Sequence, residues 1–335
     1  MLQPANNASY RSKHHLRSLF LLVLWLALLG ATAYNRQNII DWWRLRNYQA
    51  PAAIAQLATQ DTMTAYARRI FYVNNASLDS KTVFSKQCPN NGGEQTIVLG
   101  CYHSDQAGIF LLGVTDPRLN GVEQVTAAHE MLHGAYDRLS SSQKQKVDAM
   151  LQDYYNHDLH DPRILATMAQ YKKTEPNDVV NEMHSVFGTE IAKLPSGLEQ
   201  YYQRYFTNRS QIAAYGAQYE AEFTSHQALV NQDDAQLAGL KQQFDNTQAD
   251  LNSKQAVIAA RQSSLNGLRT SGDINGYNAG VPAYNALVDD YNAEVARIRD
   301  LTSQYNVLVA SRNSVALEED QLIKELTSNN ATIQQ

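Results

Sequence analysis

The residues with the clearest chemical potential are His129 and His133, which lie four positions apart and have Glu130 between them. Positions i and i+4 project from the same face of an α-helix, so both imidazoles can bind one metal ion. Glu130 is turned towards the adjacent side, where its carboxylate can take a proton from metal-bound water. The H-E-x-x-H spacing therefore predicts a zinc site with His129 and His133 as ligands and Glu130 as the general base.

The residues around this motif favour a buried helix. The flanking positions are uncharged, and Gly134 and Ala135 leave room beside His133; the flanking residues are Ala127, Ala128, Met131 and Leu132. The alternative is an amphipathic surface helix with two exposed His, which would need no apolar flanks. The flanks favour the metal site.

The motif and its surroundings resemble the zincin metallopeptidases over about residues 95–192. The resemblance implies an α+β zincin-like catalytic domain, with a small sheet plus metal-binding helices, that uses Zn²⁺ to hydrolyse peptide bonds. It also implies that the strand before the motif helix, about residues 108–114, pairs with an extended peptide substrate.

The resemblance further indicates where the third ligand lies. The metzincin continuation is absent, because residues 134–139 contain no third His. In the gluzincin subgroup a later helix supplies a Glu, often within Asn-Glu-x-x-Ser, and Asn181-Glu182-Met183-His184-Ser185 resembles that pattern. The alternative pattern Glu-x-x-x-Asp is not met, since Val186 stands four positions after Glu182.

Glu190 is the rival ligand, because it lies eight residues after Glu182 on nearly the same helix face. One of the two carboxylates would bind zinc, and the other could hold a ligand His in place. We favour Glu182, since two His and one Glu are an expected catalytic zinc set. For either residue, a surface carboxylate paired with Lys or Arg is the alternative.

Gluzincins also use a Tyr or His to stabilise the oxyanion. The sequence offers four candidates and does not choose among them, and each Tyr could simply pack: His184, Tyr201, Tyr202 and Tyr205. A further cluster, His157-Asp158-Leu159-His160-Asp161, fits no ligand spacing and precedes Pro162, so we interpret it as a polar connection.

Several elements are expected to position these residues. Three apolar runs favour strands at about 70–73, 96–102 and 108–114, and the last two would form a hairpin. Helices are predicted at about 122–139, capped by Asn120, then after Ser141 and Ser142, and at about 178–193.

The N-terminal region carries a targeting signal. Arg11, Lys13 and Arg17 precede an apolar stretch of about 17 residues, near the lower limit for a membrane span and the upper limit for a signal peptide. Ala31-Thr32-Ala33 resembles a cleavage site, so secretion after cleavage remains the alternative. We favour a retained single-pass anchor with the catalytic domain extracytoplasmic, and Trp42 and Trp43 could lie at the membrane interface.

Cys88 and Cys101 support export weakly. In an oxidising compartment they would close a short disulfide loop, and otherwise they would be two unrelated buried thiols.

The last third of the chain shows a heptad pattern. Apolar residues recur every seven positions from Phe223 to Leu265, and a second series runs from Tyr284 to Leu326 after turn-prone residues 271–276. Two heptad helices joined by a turn predict an antiparallel coiled-coil hairpin with arms of about 65–90 Å. A compact helical bundle is the alternative.

These observations divide the chain into five segments. They are a cytosolic tail (1–17), a transmembrane anchor or signal peptide (18–34), a juxtamembrane segment (35–60), a zinc metallopeptidase-like domain (61–206) and a helical coiled-coil hairpin (207–330). Charged residues make up 18% and the net charge is −5, so no basic excess points to nucleic acid.

The predicted function is that of a membrane-anchored zinc endopeptidase. The expected partners are a peptide or protein substrate, the membrane, and a protein partner or second copy bound through the coiled coil. The alternative is a non-catalytic coiled-coil interaction or scaffold protein with a structural or inactive zinc domain.

Overall fold

The computed structural model describes residues 8–89 and 98–327, and for residues 8–16 it describes the backbone only. The chain is mostly helical with one small mixed sheet. It divides into two compact units, which are described separately. Among the described residues, unit 1 comprises those up to Val114, Asn120–Ala217 and 326–327, and unit 2 comprises Thr115–Leu119 and Gln218–Glu325.

The N-terminal apolar segment lies in helix α1 (Ala8–Tyr34). Its window Arg17–Tyr34 has a mean hydropathy of 1.7 and is not buried by the rest of the protein. By length and composition, this helix could cross a membrane or serve as a signal sequence. Residues 8–17 of the predicted tail belong to α1, and residues 1–7 lie outside the described part.

Helices α2 (Arg36–Leu45) and α3 (Ala52–Gln60) are folded into unit 1. Asp41 in α2 is 2% exposed, and Ile54, Leu57 and Ala58 in α3 belong to the core. The predicted juxtamembrane segment 35–60 thus supplies part of the unit that was expected to begin at position 61.

Helix α4 (Ala65–Val73) replaces the strand predicted at 70–73, which is wrong. Thr64 caps this helix by accepting a hydrogen bond from the backbone of Ala67. Ala67, Ile70, Phe71 and Val73 are buried with helical spacing. The cap and this periodicity outweigh the β preference of a short apolar run.

The sheet contains β1 (Ser77–Asp79), β2 (Gly100–His103) and β3 (Gly108–Leu112) in the order β1-β3-β2, and α5 (Lys81–Gln87) lies between β1 and β2. β3 runs parallel to β1 and antiparallel to β2. The predicted β2–β3 hairpin is confirmed, although Thr96 and Ile97 lie outside the described residues. β3 is paired on both sides, so its expected role as a substrate-binding edge strand is wrong.

The motif helix α6 (Val122–Asp137) follows a 3₁₀ turn at Pro117–Leu119. Its N-cap is Gly121, with a φ of 106°, and not Asn120. Helix α7 (Ser141–His157) begins at a capping box in which the side chains of Ser140 and Gln143 satisfy each other's backbone N–H.

Three shorter helices complete unit 1: α8 (Pro162–Thr174), α9 (Val179–Glu190) and α10 (Ser196–Tyr202). α8 was not predicted. Asp161 caps it by accepting hydrogen bonds from the backbone of Arg163 and Ile164. The cluster 157–161 thus forms the end of α7 and the connection to α8, as expected.

Helices α11 (Arg209–Thr270) and α12 (Ile274–Leu326) form the long C-terminal hairpin. Within unit 2, side-chain pairs join His226 to Glu318, Asp234 to Arg312 and Lys254 to Glu294. As the residue number on α11 rises, the number of its partner on α12 falls, so the two arms are antiparallel. Heptad leucines are buried between them, among them Leu251, Leu265, Leu301 and Leu322.

Candidate metal centre

The centre lies where α6 packs against α9. Gly188 allows this close approach, because a β-carbon there would lie 2.5 Å from Leu132 Cδ1 and 2.7 Å from Tyr202 Cε1. Thirteen of the residues in α6 are buried, and they include Glu130 and His133. The short helix–helix separation brings Glu182, in the first turn of α9, opposite the two motif imidazoles.

The three predicted ligand groups converge. The Nε2 atoms of His129 and His133 are 3.0 Å apart. Glu182 Oε1 lies 3.4 Å from His133 Nε2, and Glu182 Oε2 lies 3.5 Å from His129 Nε2. Ligand atoms about 2.0–2.1 Å from a tetrahedral metal ion are about 3.3 Å apart, so these separations fit a single ion.

The electrostatics of Glu182 also suit a cation. Burial raises its pKa, but the charges of His133 and His129 and a hydrogen bond from the Tyr171 hydroxyl outweigh burial, and the pKa is lowered overall. Oε2 is buried and, at 3.5 Å from His129 Nε2, makes no hydrogen bond with the described residues. A buried carboxylate oxygen without a partner is costly, and a bound cation would satisfy it. The group His129, His133 and Glu182 could therefore hold a metal ion.

Glu190 lies apart from this group. Its carboxylate pairs with Arg163 of α8, so it neither joins the converging ligand atoms nor holds one of the motif His residues. Glu175, Asp178 and Glu182 also bring carboxylate oxygens together, but Asp178 is exposed and accepts a hydrogen bond from Asn181. The set with two imidazoles is the more buried of the two, and imidazole nitrogens are ligands of transition metals.

Glu130 faces the edge strand β2. It is 6% exposed, and a β-carbon at Gly100 would lie only 2.7 Å from Glu130 Oε1. The next residue in β2, Cys101, forms a disulfide with Cys88, which confirms the predicted bridge. The strand beside the candidate base is therefore covalently attached to the end of α5.

The four residues proposed for oxyanion stabilisation form an aromatic cluster beneath α9. His184 is fully buried, and its Nε2 shares a hydrogen bond of 2.8 Å with the Tyr201 hydroxyl. Tyr202 donates to the His184 carbonyl at 2.6 Å, and the Tyr205 hydroxyl lies 3.2 Å from that of Tyr201. Burial, reinforced by the charges of His133 and His129, lowers the pKa of His184 to about 3. These contacts indicate that the four side chains are packed in the interior and do not favour a role in oxyanion stabilisation.

Tyr171 is a candidate that the sequence analysis missed. It lies on α8, its hydroxyl hydrogen-bonds to Glu182, and the charge of Glu130 acts on it. Burial raises its pKa well above the usual range, and the charges of the two carboxylates add to this effect, so the hydroxyl stays protonated. A protonated hydroxyl at Glu182 can support that candidate ligand or donate a hydrogen bond to a reacting group.

The chain was compared with protein-family models, with curated proteins and with solved structures, and no significant match was found in any of the three. The assignment of this centre therefore rests on its own geometry.

Proposed function

We propose that the chain is a membrane-anchored, zinc-dependent endopeptidase whose centre lies outside the cytosol. His129, His133 and Glu182 hold the metal, and Glu130 is the general base. The anchor is supported by the apolar helix α1, and the extracytoplasmic side is supported by the disulfide, since such bonds persist in oxidising compartments.

The observation that carries this proposal is that the Glu182 carboxylate lies within 3.5 Å of both motif imidazoles. The local spacing of His129 and His133 makes a pair of ligands, whereas Glu182 comes from a separate helix and completes a set of two His and one carboxylate. A purely structural zinc site would instead be closed by four protein ligands.

Each nearby side chain has a role in peptide hydrolysis. A zinc ion in this group would supply Lewis-acid polarisation of the scissile carbonyl and would make water more acidic. Glu130 takes the proton from the attacking water and returns it to the leaving amine nitrogen. The Tyr171 hydroxyl donates a hydrogen bond to the carbonyl oxygen as negative charge develops on it.

Metal analysis combined with one substitution tests this function. The purified full-length chain should contain about one equivalent of zinc, and chelation should abolish cleavage of an unstructured polypeptide. Glu130→Gln should retain the zinc and lose cleavage, because the amide cannot accept the proton. Metal-free protein, or unchanged cleavage in Glu130→Gln, contradicts the proposal.

A scaffold function is the second candidate, and the surface of the hairpin favours it. Large apolar side chains in unit 2 are exposed, such as Val257, Val307 and Leu317 at 48%, 69% and 63%. Removing residues 245–267 from α11 and 278–300 from α12, with the turn between them kept, preserves the antiparallel pairing. Under the peptidase proposal this variant still cleaves a generic polypeptide, whereas under the scaffold alternative there is no cleavage to retain.

A further inference from the structure

The apolar helix α1 continues into α2 almost without interruption. Asn35 alone separates them, and helical hydrogen bonds cross it: Asn35 N donates to Ala31 O at 3.0 Å, and Ile39 N donates to Asn35 O at 2.9 Å. The Asn35 side chain also donates to Ala31 O at 2.9 Å. No flexible linker therefore lies between the apolar segment and α2.

α2 is attached in turn to the end of the motif helix. Arg138, the C-cap of α6, donates from Nη1 to Asp41 Oδ2 at 2.7 Å and from Nη2 to Asp41 Oδ1 at 3.0 Å. The two side chains are 10% and 3% exposed. A two-pronged Arg–carboxylate pair fixes orientation as well as distance, so it holds α6 in one position relative to α2.

A second attachment prevents α2 from pivoting about this pair. Arg44 Nη1, one turn further along α2, donates to the carbonyl of Gln106 at 2.8 Å. Gln106 lies in the turn between β2 and β3, so α2 also holds the hairpin whose edge strand contacts Glu130.

The outer face of α2 is apolar and aromatic. Ile39, Trp42 and Trp43 are 47%, 67% and 61% exposed, although the neighbouring Asp41 is buried. Trp side chains prefer the interface between a bilayer and water. This face follows within about two helical turns of the end of the apolar window at Tyr34, so the bilayer interface is the surface that it meets.

These attachments place the candidate ligands His129, His133 and Glu182 close to the end of the apolar window at Tyr34. The helical rise gives about 10 Å from Tyr34 to Asp41 and about 8 Å from Arg138 to His133, so the group lies within about 30 Å of the end of the apolar window. An extended polypeptide covers that distance in about nine residues.

We propose that α2 seats unit 1 on the membrane surface, and that the substrate is a polypeptide segment emerging from the same bilayer. Cleavage then falls within about ten residues of the substrate's own membrane segment. The substrate assignment rests on the proposed peptidase function, whereas the seating of α2 rests only on the proposed membrane anchor.

The seating can be tested without catalysis. The chain has three Trp, so Trp25→Phe leaves Trp42 and Trp43 as the only indole fluorophores. The full-length Trp25→Phe protein is reconstituted in phosphatidylcholine vesicles whose lipids are brominated either near the headgroup or deep in the acyl chains. Blue-shifted emission that shallow bromine quenches more than deep bromine is expected. Emission typical of water, without quenching, overturns the proposal.

The substrate class is tested by mapping cleavage positions. An unstructured polypeptide of about 60 residues is fused to a membrane-spanning helix, incorporated with the full-length protein in vesicles, and its products are identified by mass spectrometry. Cuts are expected within about ten residues of the bilayer. Cuts spread evenly along the polypeptide, or equal cleavage of the same polypeptide without its membrane helix, overturn the assignment.

A linker insertion separates anchoring from catalysis. About ten Gly and Ser residues inserted after Tyr34, combined with Trp42→Gln and Trp43→Gln to remove the aromatic face of α2, should extend the cleaved region away from the membrane, with the free polypeptide still cleaved. The matched control places the same insertion after Gly272, in the turn between α11 and α12, and should leave the cleaved region unchanged. An unchanged region after the first insertion contradicts the proposal. If neither form of the polypeptide is cut, the peptidase function and the substrate assignment both fail. The quenching experiment then still tests whether α2 lies at the membrane surface.

Discussion

Gly100 lies against Glu130 so closely that any side chain at position 100 would displace the carboxylate. A β-carbon there would be 2.7 Å from both Cγ and Oε1 of Glu130. The edge strand β2 thus depends on glycine at the point where it passes the candidate base.

Gly100→Ala should therefore lower kcat/KM by about a hundredfold, since a shift of about 1 Å in a catalytic group can have that effect. The buried Thr126 methyl group, which would lie 2.6 Å from that β-carbon, must shift as well as Glu130, so Tm should also fall by a few degrees. Steady-state kinetics and thermal unfolding check both points. Gly197→Ala is the control, because its β-carbon would lie 3.5 Å from Met150 Sδ, an ordinary contact. Equal activities of the two variants would show that Glu130 tolerates displacement.

The two rival carboxylates of α9 should differ in metal binding. Glu182→Gln should weaken zinc binding by more than about a hundredfold, because even changes in residues that only support ligands cost 10–100-fold. Glu190→Gln removes a partner of Arg163 and should leave zinc affinity nearly unchanged. Competition with a fluorescent chelator measures both affinities. The opposite ranking would make Glu190 the ligand.

Tyr171→Phe should lower kcat by about a hundredfold and leave KM nearly unchanged, because the hydrogen bond acts on charge that develops in the transition state. Zinc affinity should fall about 10–100-fold, because the hydroxyl also hydrogen-bonds to Glu182, so kinetics are measured with zinc in excess. Tyr155→Phe is a suitable control, since Tyr155 lies on α7 and its hydroxyl accepts a hydrogen bond from Lys172. A rise in KM alone for Tyr171→Phe would mean that the hydroxyl only binds substrate.

Removal of the disulfide should lower both stability and activity. The bridge spans a sequence separation of 13, and a loop of this size contributes about 3 kcal/mol in the chain-entropy model. Cys88→Ser/Cys101→Ser should thus unfold at a lower temperature, and kcat should fall because β2 is no longer held beside Glu130. Calorimetry and kinetics with and without a reductant measure these effects. A reductant should not affect the double variant further.

Asp61 should make stability depend on pH. Both carboxylate oxygens are buried and lack hydrogen-bond partners among the described residues, and burial raises the pKa well above its ordinary value of 3.8. As the pH rises above that value, the unfolded chain ionises while the folded chain keeps its proton, so Asp61 progressively lowers the free energy of unfolding. The loss ends only when the pH passes the raised folded pKa.

Asp61→Asn should accordingly raise Tm by several degrees more at pH 8 than at pH 4. Thermal unfolding of wild type and variant across this range provides the measurement. A difference in Tm that does not vary with pH would mean that Asp61 is already neutral or compensated in both states.

Local spacing was sufficient to predict the first half of the candidate centre. His129, Glu130 and His133 lie within a single helix, so the helical period alone fixes their relative positions. The hairpin of α11 and α12 was equally accessible, because a heptad repeat is a local signal. The convergence of Glu182 with these imidazoles depends on the packing of α9 at Gly188, and sequence spacing does not report that contact.

Other features depended on competition between signals. Residues 70–73 favour a strand by composition, but the Thr64 cap and the buried helical face place them in α4. Pro162 suggested a loop, although Pro is well accommodated in the first turn of a helix, and α8 with its Tyr171 was missed. The central place of β3 follows from its parallel pairing with β1, a non-local contact.

The Cys88–Cys101 bridge also bears on when the centre becomes complete. Thiols stay reduced in the cytosol, so a newly made chain there would have β2 unattached beside Glu130. Oxidation after export would then attach the strand. If the proposed peptidase function holds, we expect activity to be lowest before this oxidation, which would protect polypeptides in the cytosol.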